Sequence, residues 1–154
     1  MKKKKYPKST PLWRFLFVVY TLVLLWLLFD RPMAQDSSRT YAELLRSNMN
    51  LVPFQTIRNY WHVVCRMDYS PLFYHCVINL GGNIFLFIPI GYFLPRLWKP
   101  MRKFFVFFLT CVLSITLVEL LQLVTLLGSL DIDDLILNLF GMIVGYLLFM
   151  IVKK

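Results

Sequence analysis

The residues that could do chemistry gather in the second half of this chain. Glu119-x-x-Gln122 sits inside a long apolar run. The acidic turn Asp131-Ile132-Asp133-Asp134 follows, and a further apolar run then carries Asn138, Gly141 and Gly145. Carboxylates and amides of this kind can move a proton, hold a cation through oxygen, or hydrogen-bond a polar ligand. An ionisable side chain at membrane depth is costly, so it is usually paired and often functional. Glu119 is the sharpest candidate, because no Lys or Arg lies inside any of the later apolar runs. Either it is held neutral, or a proton, cation or cationic ligand visits it. The candidate catalytic groups are therefore Glu119, Asp131 and Asp134, and the candidate binding groups Asn83, Glu119, Gln122, Asp134 and Asn138.

Other chemistries find less support. Two Asp near a Glu could hold a divalent cation through oxygen, but the spacing is not diagnostic and the metal question stays open. His62 and His75 lack ligand spacing. Cys65, Cys76 and Cys111 are too few and too scattered for a disulfide framework or a zinc site. Cys65 and Cys76 read as unrelated thiols, with a bond between them as the minority alternative. Neither a Ser/His/Asp set nor a phosphate-binding loop is present, and no cofactor is expected.

The elements that must position the acids are membrane spans. The chain has 154 residues, 58% of them hydrophobic, where a soluble domain carries about 45–50%. The excess comes in long runs with few charges, and a helix needs roughly 20 apolar residues to cross a bilayer. The net charge of +9 does not indicate nucleic acid, because the basic residues flank apolar runs and form no aromatic-basic patch. The expected fold is all-α, a polytopic membrane protein with a four-transmembrane-helix bundle. Its spans cover residues 12–29, 77–94, 104–127 and 135–152. A basic tail (1–11) precedes them, and a long loop (30–76), a basic loop (95–103) and an acidic turn (128–134) connect them.

Local signals refine this outline. The first run lacks a small-x-small cleavage site at its end and reads as an uncleaved span rather than a signal peptide. In the long loop, residues 41–47 are helix-compatible, Asn50 to Phe54 reads as a turn around Pro53, and Phe54, Ile57, Trp61 and Val64 make an amphipathic stripe suited to the membrane interface. In the second span Pro89 should kink the helix, and Gly81-Gly82 should admit close backbone approach. Twelve of the 17 Lys and Arg fall on the tail with Arg14 at the start of the first span, the basic loop and the C-terminus. The other five are arginines 31, 39, 46, 58 and 66. By the positive-inside rule both termini are cytoplasmic, with the long loop and acidic turn outside.

With that topology Glu119 lies roughly 12 Å below the outer end of its span, and Asn83 and Asn138 fall in the same outer half. Thr116, Glu119 and Gln122 share one helix face, as do Asp131, Asp134, Asn138, Gly141 and Gly145. We expect Asn79/Asn83, Glu119/Gln122 and Asp134/Asn138 to converge between helices. Each feature also has a plainer reading. Amides between spans often serve as packing glue, and Gly141-x-x-x-Gly145 admits a neighbouring helix. The acidic turn is most simply a solvated cap, with Asp131 or Asp133 as the N-cap and Asp134 favoured by the helix dipole.

At these residues the chain resembles the VanZ family of small membrane proteins. Asn50-Leu-Val-Pro53-Phe54 is similar to the family's Asn-Leu-x-Pro-Phe segment, and Asn83-x3-Phe87-x-Pro89-x-Gly91 to its Asn-x3-Phe-x-Pro-x-Gly signature. Glu119-x-x-Gln122 and Asp131-x-x-Asp134-x3-Asn138-x-x-Gly141 match the last two motifs. The resemblance covers a domain of about 12–152. It implies a Gram-positive envelope protein linked to lowered sensitivity to teicoplanin-type glycopeptides. The outward polar cluster and the interfacial aromatic loop suggest action at the outer face of the membrane, on antibiotic access to cell-wall precursor. The protein's expected partners are the bilayer, a glycopeptide or lipid-linked precursor, and a second copy of itself. Many members carry an Arg shortly before the Asp cluster, where this chain has Gly128-Ser129-Leu130. A second reading keeps an enzyme open, acting on a lipid-linked envelope precursor through Glu119 and Asp131/Asp134.

Overall fold

A computed structural model describes residues 10–30, 38–66 and 70–152. The basic tail up to residue 9 and the last two lysines lie outside the described residues. The chain forms α1 (Pro11–Phe29), α2 (Tyr41–Ser47), β1 (Met49–Asn50), α3 (Gln55–Arg66), α4 (Pro71–Phe85), α5 (Ile88–Leu97), a 3₁₀ turn (Pro100–Arg102), α6 (Phe104–Thr125), β2 (Leu130–Asp131) and α7 (Ile132–Val152). Four helical stretches are long and apolar enough to cross a membrane: α1, α4 with α5, α6 and α7. This is the pattern of a multi-pass membrane protein. Its outside is apolar, with Phe105 75% and Phe85 71% exposed, which suits contact with lipid rather than water.

α7 is the hub, packed on α4, α5 and α6. Its glycines make this possible. A Cβ on Gly141 would overlap the Ile84 carbonyl, and one on Gly145 the Ile88 carbonyl. On the facing helix, a Cβ on Gly91 would overlap the Met142 carbonyl. Small residues thus let the backbones touch, which is the main source of packing energy where lipid removes the hydrophobic drive between helices. The close approach expected at Gly81-Gly82 does not occur. Nothing lies within 4 Å of a Cβ built on Gly82, and Gly81 would meet only the Phe85 ring.

The second span begins at Pro71, ahead of residue 77, because Ser70 caps it through the Phe73 N–H and Pro occupies the first turn. It breaks between Phe85 and Ile88. Pro89 has no N–H to give the Phe85 carbonyl, so the helix restarts with Pro89 in its first turn. Tyr20 of α1 donates its hydroxyl to the Leu86 carbonyl at 2.7 Å. A neighbouring helix thereby satisfies a group that the break would leave bare in lipid.

α1 docks through aromatic rings at the end of the bundle that carries the 95–103 loop, where Trp13 and Phe17 meet Phe93 and Phe17 meets Trp98. Arg96 stacks over Trp13, its guanidinium carbon 3.8 Å from the ring centroid. The core joins Leu24, Phe87, Ile90, Cys111, Met142 and Tyr146. Among the described residues the only strand pairing is two residues long. Met49 and Asn50 run parallel to Leu130 and Asp131, an element that helical periodicity does not foreshadow.

Candidate functional site

The polar residues meet at the end of the bundle opposite the basic loop, and the acidic turn organises them. α6 closes on Leu126 in the left-handed region (φ 53), with the Leu127 N–H bonded to the Gln122 carbonyl. This closure folds the chain back into the bundle. The Asp131 N–H comes to rest 3.4 Å from Glu119 Oε2, although Glu119 lies six residues before the end of α6. The turn is therefore sunk between helices. A solvated cap does not describe it, because Asp131 and Asp133 are both buried and Asp133 is 0% exposed.

Each acid of the turn has a separate task. Asp131 Oδ1 accepts the Asp133 N–H at 2.8 Å, capping α7 from within its own turn. Its carboxylate also accepts the Thr56 hydroxyl at 2.7 Å and the Asn50 amide at 3.3 Å. Asp133 turns to the long loop. One oxygen accepts the Phe54 N–H at 2.5 Å and the other the Ile57 N–H at 3.0 Å. Those donors belong to the residue before α3 and to its third residue, two of the N–H groups a helix start leaves bare. α3 is thus capped by an acid 79 positions away in sequence, and Phe54 adopts φ 64 to present its N–H. Asp134 accepts the Asn83 amide across the α4–α7 seam in a short contact.

The remaining predicted residues divide between ligation of the fold and open polar atoms. Gln122 donates to the Leu28 carbonyl at 2.8 Å, tying α6 to the last turn of α1. Gly128 packs against it, since a Cβ there would come within 2.9 Å of the Gln122 side chain. The segment just before the acidic turn is thus taken up with a glycine pressed on an amide. Asn138 is 3% exposed, and its Oδ1 has no partner among the described residues. The Asn79 Oδ1 is likewise without one. Glu119, also 3% exposed, lies under the turn. Among the described residues no group of three or more His, Cys, Asp or Glu could hold a metal ion. Cys65, Cys76 and Cys111 form no disulfide, and His75 rests edge-on against the Tyr60 ring.

The loop is more ordered than its sequence suggests. Thr40 and Glu43 form a reciprocal capping box at the start of α2, and the Tyr41 hydroxyl reaches the Val124 carbonyl at 2.7 Å. α3 lies on α4, with Ile57, Tyr60 and Val64 half-buried, while Phe54 and Trp61 of the predicted stripe stay about 60% exposed. Sequence reasoning missed Asp133, Asn50 and Thr56 as a unit. The available signal was acids two apart at a helix start, where a single cap needs only one of them.

This arrangement buries Asn83 and Asn138 along the α4–α7 seam and fastens the loop over it. The VanZ/LLP1 family model matches residues 17–153. No curated protein and no solved structure matches the chain. The matched stretch takes in most of the first span, all of the other three and every residue of the buried acidic assembly, and on that basis the chain belongs to the VanZ/LLP1 family.

Proposed function

We propose that this protein works at the outer face of the cell membrane, where it lowers sensitivity to teicoplanin-type glycopeptides by restricting their access to cell-wall precursor. The observation that carries the reading is the loop latched over the α4–α7 seam by Asp131 and Asp133, above the Asp134–Asn83 contact. The outward part of this arrangement is the exposed apolar loop of Leu51, Val52 and Phe54, held over a buried floor of amides and acids. Such a face suits contact with the apolar part of a membrane-anchored precursor or antibiotic. The positive-inside rule supports placing it outside, with both termini in the cytoplasm.

The enzymatic alternative has less behind it. Asp131 is already committed to hydroxyl and amide donors of the loop and Asp134 to the Asn83 amide, and an acid so engaged is a poor general base. Glu119 remains the one candidate for proton transfer, yet it sits beneath the turn with 3% exposure.

Expression in a glycopeptide-sensitive Gram-positive host tests the proposal. Wild type should raise the teicoplanin inhibitory concentration above vector, and Asp134→Asn and Asn83→Ala should return it toward vector at equal membrane abundance. Equal susceptibility for wild type and vector would overturn it. A cysteine placed at Ser129 and labelled from the cytoplasmic side alone would overturn the orientation.

A further inference from the structure

Helix packing is incomplete between α1 and the face formed by α5 and α6. A cavity of about 190 Å³ runs there, bounded by Phe17 to Leu28 on α1, Leu94 to Phe87 on the broken span, and Thr110 to Val118 on α6. Along α1 this is roughly 16 Å at helical rise. One leaflet's hydrocarbon layer is about 15 Å deep, half of the bilayer core. The walls are apolar apart from a few hydroxyls, and the Thr21 hydroxyl is bonded to the Phe17 carbonyl at 2.8 Å. An apolar cavity of about 150 Å³ stays dry and accepts a benzene-sized guest, so this space encloses a short stretch of an acyl chain and leaves the rest along its open side.

The slot has a charged mouth. At the basic end a second cavity of about 480 Å³ is lined by Arg14, Val18, Leu97 and Trp98, and Phe17 lines both. A guanidinium therefore stands at one end of an apolar slot of acyl length. Arg96, Lys99, Arg102 and Lys103 follow at the same end, with no acid among residues 87–118. Guanidinium pairs with phosphate oxygens through two parallel N–H donors, and the basic surroundings favour a headgroup with net negative charge.

We propose that this is a binding site for one anionic phospholipid, with its phosphate on Arg14 and one acyl chain in the slot. The chain would lie along the exposed wall of the slot, at Leu25 and Ser114, with the buried Cys111 and Ile115 behind it. The charged mouth lies at the other end of the bundle from the acidic assembly, and the site does not depend on the function proposed for that assembly.

The test is native mass spectrometry of the full chain in mild detergent, with phosphatidylglycerol or phosphatidylcholine added. Wild type should retain one phosphatidylglycerol per chain, at least tenfold more than phosphatidylcholine. Arg14→Gln should bring retention of the anionic lipid down to that of the zwitterionic one. Ser114→Phe, at an exposed position on the slot wall, should cut retention of both lipids about tenfold, while Ser114→Ala retains them as wild type does. Should Ser114→Phe not fold, Arg14→Gln decides, since phosphatidylglycerol must raise the thermal midpoint of wild type and leave that of Arg14→Gln unmoved. Equal retention of the two lipids by wild type, loss of neither in Ser114→Phe, or no retained lipid at all would overturn the site.

Discussion

Replacing Asp133 by Ala should unlatch the long loop without dismantling the bundle. The carboxylate is fully buried and accepts the Phe54 and Ile57 N–H groups, one on each oxygen. A hydrogen bond to a charged group contributes about 1.5–3 kcal/mol net, and an unpaired buried donor costs about 1–3 kcal/mol. Part of that loss is recovered by water, because Phe54 and Gln55 lie at the surface. A loss of about 3 kcal/mol for the pair is reasonable, and each 1.4 kcal/mol is tenfold. Amide exchange across Gln55–Tyr60 should therefore accelerate by about two orders of magnitude in lipid nanodiscs, while the amides of α6 keep their protection. Asp133→Asn retains one acceptor and turns an N–H toward the other donor, so it should fall about midway. Unchanged α3 exchange in Asp133→Ala would refute the reasoning. Equal acceleration throughout α6 and α7 would show that the acid supports the whole bundle rather than the loop.

Three further outcomes follow from the packing and the caps. Gly141→Ala or Gly145→Ala drives a methyl into a neighbouring carbonyl and should cost at least 2–3 kcal/mol as overpacking against backbone. Gly82→Ala meets nothing and should gain about 0.5–1 kcal/mol through helix propensity, both read by thermal unfolding in detergent. Gln122→Leu strips the Leu28 carbonyl of its donor and should lower stability by about 1–2 kcal/mol, with faster exchange in the last turn of α1. The Glu43 carboxyl is held below the usual carboxylate range, first by the Thr40 backbone N–H and then by the Thr40 hydroxyl. Its folded value is depressed, so its support for α2 is present above the ordinary carboxylate range and is lost as pH falls through the depressed value. Exchange of the α2 amides should rise over that window in wild type and stay flat in Glu43→Gln.

The tolerance of a bilayer for these acids has a physical basis in the turn. An isolated carboxylate at depth would draw water or a counter-charge. Here a short re-entrant strand and a capped helix bring backbone N–H, hydroxyl and amide donors to Asp131 and Asp133 instead. The donors come from the loop, so loop order and burial of the acids are one event. The same logic holds at the broken span, where Tyr20 serves the Leu86 carbonyl that Pro89 helped to expose.

Residue order alone was enough for the four apolar helices, a helix at 41–47, the turn at Pro53 and the interruption ahead of Pro89. All of these follow from local hydropathy, from period, or from a missing N–H. The helix faces also follow from it, since Gly141 and Gly145 or Glu119 and Gln122 share a face whatever packs against them. Partners across the bundle do not follow. The Asp131 and Asp133 donors lie 75 to 81 positions away, and a left-handed Leu126 decides whether the turn faces water or sinks toward Glu119. Spacing reveals which side chains can look the same way. Only the tertiary fold determines which of them find a donor, because in a medium without water that choice depends on what the neighbouring backbone has left unpaired.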